Sequence, residues 1–131
     1  MERHPELKVY VSHTAGALPY QSARIDKNGK GAKLPLLPSS YIKRMYTDTV
    51  TPHAEGMSFA IEYFGIDHVM YASDFPCWDP AEAIRLLHEV GLSDVDMAKI
   101  LSGNARRILN LRDPSKQVPQ EPVEAPVSVC V

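Results

Sequence analysis

An α/β fold built of parallel strand–helix units is what this sequence predicts, and three observations predict it. Short apolar runs such as Val9-Tyr10-Val11 and His68-Val69-Met70-Tyr71-Ala72 have the β-branched and aromatic character of strands. Other stretches carry apolar residues at helical spacing, as Met57, Ala60, Ile61 and Phe64 do. The two kinds alternate along the chain, and strands that alternate with helices form parallel sheets. Three strands cannot close a barrel. A complete (β/α)8 TIM barrel takes about 250 residues, whereas this chain has 131.

Taken in order, residues 8–12 (Lys-Val-Tyr-Val-Ser) read as a short buried strand followed by a turn. Residues 13–38 are rich in Gly, Pro, Asn and Lys and read as a long loop, a feature that compact domains keep for function or leave disordered. Ser39 or Ser40 can cap a short helix reaching Arg44. Met45-Tyr46-Thr47-Asp48-Thr49 is the second strand. Residues 54–64 form a helix that Gly65 ends in the left-handed conformation. Residues 68–72 are the third strand.

Asp79-Pro80 opens the next helix, with a side-chain cap followed by proline at the first helical position. That helix runs to about Val90, buries Ala83, Ile84, Leu87 and Val90, and ends at Gly91. Ser93-Asp94-Val95-Asp96 starts another helix with a pair resembling a capping box. Met97, Ile100 and Leu101 form its apolar face and Gly103 stops it. Residues 104–111 are a last short helix. From Asp113 onward Pro114, Pro119, Pro122 and Pro126 punctuate a polar segment without helical or strand period. Residues 1–112 are therefore expected to be the folded part, and residues 113–131 a disordered tail.

The composition, 44% hydrophobic and 23% charged, is that of a globular domain. A net charge of −2 argues against a nucleic-acid surface or a polybasic membrane anchor. No apolar run approaches the roughly 18 residues of a membrane helix, and residues 1–8 are charged and lack the apolar core of a signal peptide. The expectation is a cytoplasmic protein with neither a nucleic-acid nor a membrane partner. Cys77 and Cys130 are too few for a disulfide framework and have no zinc-site spacing.

Two residues stand where chemistry collects. His13 directly follows the first strand, and Asp74 directly follows the third. In a barrel, such positions lie at the C-terminal mouth, where catalytic side chains gather. Thr14, Ala15 and Gly16 are small enough to let a substrate approach the backbone. The alternative for His13 is a side chain that caps a strand end by hydrogen bonding. Asp74 can bind a divalent metal or hold a metal-bound water; its alternative is an Asx-turn or a helix cap. Because Asp79 already caps the following helix, Asp74 is left for another role. Trp78 can line a substrate pocket or simply pack, and Cys77 has no evident base partner in the sequence.

An ordered series of local motifs carries a resemblance. It comprises Lys8-Val9-x-Val11-Ser12-His13 with Leu18-Pro19-Tyr20, Arg24, Pro38-Ser39-Ser40-Tyr41, Tyr46-x-Asp48-Thr49, Asp67-His68-Val69-Met70-Tyr71-x-Ser73-Asp74-Phe75-Pro76, and Ser102-Gly103-Asn104-Ala105. It resembles the second half of the amidohydrolase-2 family, over about residues 3–111. Members of that family include aminocarboxymuconate-semialdehyde, γ-resorcylate and 5-carboxyvanillate decarboxylases.

The resemblance implies a partial TIM barrel, about the last three βα units. It implies that His13 is the acid/base histidine and Asp74 a metal ligand. Arg24 then matches an arginine that some relatives reach across a dimer interface toward a substrate carboxylate, a task that suits a bidentate guanidinium; otherwise Arg24 is a solvated charge. A divalent metal, zinc or manganese, a small-molecule carboxylate substrate and a homo-oligomer are implied as well.

Two departures weigh against a complete site. Thr14-Ala15 stands where the family usually has Gly-Gly. The family's His-x-His pair and a further metal-binding histidine have no counterpart here, because His4, His53, His68 and His88 match by no motif and read as structural. The implied reaction is non-oxidative decarboxylation, with His13 transferring the proton; a histidine's ordinary pKa of roughly 6.5 suits that work. Metal-dependent hydrolysis of a lactone or amide uses the same residues. The missing ligands leave a third reading, an inactive fragment that needs a second chain to complete the barrel.

Overall fold

The computed structural model describes residues 1–112. The expected tail, 113–131, lies outside the described residues. Three short parallel segments lie side by side. Strand β1, Thr47–Asp48, pairs in parallel with β2, Val69–Met70, placing Thr47 opposite Val69 and Asp48 opposite Met70. On the other side of β1, Tyr10 forms a single parallel bridge with Tyr46. There the Tyr46 amide donates to the Val9 carbonyl and the Val11 amide to the Tyr46 carbonyl, both over 2.8 Å.

The first segment was expected to be buried. It is only half-buried at Val9 and Val11 and exposed at Lys8, Tyr10 and Ser12, because β1 covers one of its edges and no described strand covers the other. Buried threonines tie the segments together near their C-terminal ends. Thr47 Oγ1 donates to the Val11 carbonyl (2.8 Å), and Thr49 Oγ1 both donates to the Ala72 carbonyl (3.1 Å) and accepts from the Ala72 amide (3.2 Å).

The largest difference from the sequence reading lies between His13 and Pro38. Much of that stretch is helix α1, Leu18–Asn28, followed by a 3₁₀ turn, Gly29–Ala32. Pro19 falls in the first turn, where the missing amide hydrogen does no harm. Leu18 and Ile25 supply an apolar contact toward Ile42, which lies in helix α2, Pro38–Ile42. Neither Ser39 nor Ser40 caps α2; Leu37 is the cap position and Pro38 the first residue, while the Ser39 amide is satisfied by Asp26 Oδ1 at 2.7 Å.

Helix α3, Ala54–Phe64, has the expected limits and buries Met57, Ala60 and Phe64. His53 caps it, with Nδ1 accepting from the Gly56 amide at 2.9 Å. A side chain at Gly56 would collide with that imidazole, since its Cβ would lie 2.7 Å from His53 Cε1. Gly65 ends α3 at φ 85° and ψ 149°, a positive-φ conformation but an extended one rather than left-handed helical.

His68 closes a 3₁₀ turn, Ile66–His68, instead of starting a strand. Its Nδ1 lies 2.9 Å from the Met45 carbonyl and its ring stacks on Tyr46, so it is structural as expected. His4 lies in no helix.

Helix α4, Pro80–Glu89, is capped by Asp79 Oδ1, which accepts from the Ala81 amide at 2.8 Å. It buries Ala83, Leu86 and Leu87; Ile84 turns outward. Ser93 caps helix α5, Asp94–Ala98. Gly103 does not stop the helical path. The chain passes through a π-helical turn, Lys99–Gly103, straight into helix α6, Asn104–Leu109, and ends at Asn110 in the left-handed conformation. A Cβ on Gly103 would press on the Ala98 carbonyl at 3.4 Å, so glycine suits the widened turn without ending the helix. The core lies between the strands and this helical layer and is centred on Met57, Val69, Leu87 and Ile100, all fully buried. Among the described residues no helix is long and apolar enough to cross a membrane.

Candidate active site at the strand ends

Each of the three parallel segments runs out into a polar residue: His13 after the first, Asp48 at the end of β1, and Asp74 beyond β2. Parallel strands point the same way, so these residues collect at one edge of the sheet. His13 Nε2 lies 3.9 Å from Asp74 Oδ2, and both side chains are open to solvent. His13 and Asp74 are thus brought together from the first and third of the parallel segments.

Their backbones are unusual. His13, Thr14, Ala15 and Gly16 all have positive φ, at 60°, 51°, 60° and 55°, and Asp74 has φ 58°. The left-handed conformation costs an L-residue about 1–2 kcal/mol, and only one of these five is glycine. Strain of this kind persists where surrounding contacts hold it, and it clusters at functional sites. The Gly16 amide donates to the His13 carbonyl at 2.8 Å, closing the turn. Beyond Asp74, the Cys77 amide donates to the Asp74 carbonyl at 2.9 Å.

Sequence reasoning gave Asp48 no role. It is 1% exposed and accepts four hydrogen bonds. Oδ2 takes the Tyr10 hydroxyl (2.5 Å) and the His13 amide (3.0 Å); Oδ1 takes the Thr14 amide (3.1 Å) and the Val50 amide (2.9 Å). Although the Tyr10 side chain as a whole is exposed, desolvation of its hydroxyl where it meets buried Asp48, reinforced by the hydrogen bond to Asp48 and its negative charge, pushes the phenol well above the usual tyrosine range. The strand-end argument that singled out His13 and Asp74 applies equally to Asp48, so the signal was present.

Arg24 lies on α1, not in a loop, and is exposed. Trp78 is 45% exposed and borders a small cavity of about 50 Å³ with Thr49, Thr51, Ala72, Asp79 and Glu82. His13 and Asp74 do not line that cavity. Cys77 is a free, exposed thiol.

Among the described residues no three His, Cys, Asp or Glu side chains gather closely enough to hold a metal ion. Asp74 with His13 beside it offers two donors, fewer than the three or four protein ligands a metal site normally takes. By themselves these residues do not fit a bound divalent metal. What the pair can do unaided is hold and pass a proton at one solvent-accessible point.

Comparison with known proteins places this geometry in context. The family model described as Amidohydrolase matches residues 1–111. The 2-amino-3-carboxymuconate-6-semialdehyde decarboxylase of Dictyostelium discoideum is 29% identical over 126 residues, covering 88% of this chain and 34% of its own length. The crystal structure of 5-carboxyvanillate decarboxylase from Sphingomonas paucimobilis superposes with a TM-score of 0.75 at 29% identity, covering 84% of this chain and 36% of that one. A dihydroxybenzoic acid decarboxylase from Polaromonas sp. JS666, solved with bound manganese and the inhibitor 2-nitroresorcinol, superposes at a TM-score of 0.68 and 25% identity, covering 82% of this chain and 35% of that one. The chain spans about a third of the length of the relatives it matches.

Proposed function

This chain belongs to the amidohydrolase family that its residues 1–111 match, and on that premise we propose that it is the C-terminal part of a metal-dependent (β/α) barrel that decarboxylates a carboxylated aromatic or enoic substrate. The observation that carries the reading is the 3.9 Å approach of His13 Nε2 to Asp74 Oδ2 at the ends of two segments that flank β1, in a chain whose relatives are decarboxylases. The parallel strands and their solved relatives support a partial barrel of about three βα units.

In this reading His13 is the proton carrier. Its imidazolium delivers a proton to the carbon that bears the carboxylate. The bond between that carbon and the carboxylate then breaks, carbon dioxide leaves, and the electron pair of the broken bond restores the ring or the double bond. His13 regains a proton from solvent, to which it is open. A positioned acid/base of this kind contributes roughly 10²–10⁴ in rate. Asp74 has a carboxylate oxygen to give a divalent ion, and the remaining ligands would come from the rest of the barrel. Bound there, such an ion supplies Lewis acidity and a template for the substrate. Arg24 is the proposed contact to a substrate carboxylate from a neighbouring subunit, and Trp78 a wall of the substrate pocket.

The test joins this chain to a polypeptide that supplies the remaining strands of the barrel, loads the assembly with manganese or zinc, and follows carbon dioxide release from carboxylated phenols. Release that depends on both metal and His13 is expected. Hydrolysis of lactones or amides without carbon dioxide release would replace the proposal with a metal-dependent hydrolase; no turnover of either kind would leave a non-catalytic segment.

A further inference from the structure

We infer that Asp48 is a positioning residue that sets the place of His13 relative to Asp74, an inference that rests on the proposed role of His13 as proton carrier. Four consecutive residues, His13 through Gly16, are held at positive φ although three of them carry side chains. One hydrogen bond inside the turn, from the Gly16 amide to the His13 carbonyl, closes it. It does not fix the turn to the sheet.

Asp48 does. Its carboxylate sits in the concavity formed by two successive amides, those of His13 and Thr14, at 3.0 and 3.1 Å. Successive amides that converge in this way make a natural anion site, and here the anion is an internal side chain. The other contacts of the carboxylate keep it from turning away, since the Tyr10 hydroxyl and the Val50 amide occupy one further position on each oxygen. Asp48 is buried, so the charge is compensated by hydrogen bonds rather than by water.

The strand register carries the consequence to the site. Asp48 lies opposite Met70 on β2, the strand that leads into Asp74. The backbone of His13 is therefore fastened through a single carboxylate to the pair of strands that presents Asp74. Without it, the turn keeps its internal hydrogen bond and the buried Ala15 side chain but loses its polar tie to the sheet, and the His13 end of the turn is free to swing from Asp74. Tyr10 contributes by staying protonated and donating; its raised pKa is consistent with that part.

The experiment reads position directly and needs no activity. In the isotope-labelled 131-residue chain, a nuclear Overhauser contact between the His13 ring and the Asp74 side chain is measured together with amide exchange at His13 and Thr14. The unaltered chain is expected to show the contact and to exchange both amides about a hundredfold more slowly than an unstructured loop does. Asp48→Asn puts an amide group where one pair of donors points. It is expected to lose the contact and at least roughly tenfold of the protection, with the amides of Ala83 and Leu87 unchanged. Tyr10→Phe leaves the carboxylate and its three amide donors in place and is expected to keep the contact.

Retention of the contact in Asp48→Asn overturns the inference. Rapid exchange of His13 and Thr14 in the unaltered chain overturns it as well, and that measurement answers even where Asp48→Asn fails to fold. If the contact and its loss are seen while the assembled, metal-loaded barrel supports no decarboxylation, Asp48 stays the positioning residue and the proposed reaction is refuted instead.

Discussion

His13 Nε2 stands 3.9 Å from Asp74 Oδ2 across the ends of two parallel segments, each of which pairs with the segment lying between them. The two side chains are proposed to do different work, so their loss should have different signatures. In an assembled barrel, Asp74→Asn is expected to lower metal content together with activity. His13→Asn is expected to leave metal content near normal while lowering kcat roughly 10²–10⁴-fold. Metal analysis beside steady-state kinetics separates the cases, and metal loss confined to His13→Asn would reverse the two roles.

Arg24 projects from an exposed position on α1, a rigid element and a better platform for reaching a neighbouring molecule than the loop expected from the sequence. In an assembled oligomer, Arg24→Ala is expected to raise KM for a carboxylate substrate, by roughly tenfold or more for a lost charge-assisted hydrogen bond worth about 1.5–3 kcal/mol. Arg24→Lys should recover part of that, because an ammonium keeps the charge but not the fork geometry. An unchanged KM in Arg24→Ala would return this residue to a solvated surface charge.

What the sequence made legible was set by how local each signal is. Helix α3 has an apolar stripe of full width, and α4 has the Asp79-Pro80 start, so both could be read from neighbouring residues alone. Helix α1 could not, because its polar composition leaves Leu18 and Ile25 as sparse apolar contacts, and its surroundings of Gly, Pro and Asn have the composition of a loop. Its stability comes from packing on α2, which is a tertiary fact. Gly103 has the look of a helix stop, yet the widened turn around it keeps the backbone helical. The proximity of His13 and Asp74 followed from the strand-end rule. The same rule marks Asp48 as a strand-end residue, but its role rests on donors from Tyr10, the His13–Thr14 turn and Val50, and that these meet on one carboxylate is a tertiary fact.

Asn104 is a structural residue whose removal should be felt throughout the fold. It is 2% exposed, and its Nδ2 donates to the carbonyls of Ile66 and Val69, both at 2.8 Å. It thereby joins α6 to the start of β2. Asn104→Ala leaves two carbonyls short of a donor in a dry environment, with an expected loss of about 2–4 kcal/mol. Denaturant unfolding should show a lower midpoint with an unchanged slope. A midpoint shift near zero would mean that water replaces the amide at both carbonyls.

The Tyr10 phenol gives a pH signature. Its pKa is raised by desolvation of the hydroxyl and by Asp48, so the folded state holds that proton more tightly than the unfolded state does. The associated stability is fully present below the ordinary tyrosine value of 10.0 and is lost progressively as the pH climbs above it. Tyr10→Phe cannot titrate there. Its thermal midpoint is expected to fall less steeply than that of the unaltered chain above pH about 10, even though it begins lower through the lost hydrogen bond. Parallel curves for the two proteins would show that the phenol is not held protonated by the fold.

The 131 residues taken by themselves are expected to associate and to be inactive. The three paired segments leave open edges among the described residues, and unpaired strand edges are templates for further pairing. One face of the sheet is covered by helices. On the other, Tyr10, Tyr46 and Met70, together with Ile108 and Leu109 of α6, border a largely apolar cavity of about 410 Å³. At the strand ends, Phe75 is 74% exposed. Apolar surface of this extent favours burial against another molecule. Asp74 and His13 fall short of a full set of metal ligands, so manganese or zinc should bind substoichiometrically. Size-exclusion chromatography with light scattering is expected to give a mass above the monomer's 14.6 kDa, and metal-supplemented protein should release no carbon dioxide above background. A monomer carrying one tightly bound metal and turning over a carboxylated phenol would mean that ligands come from side chains assigned here to structure, with His53 and His88, both exposed, the first to be replaced.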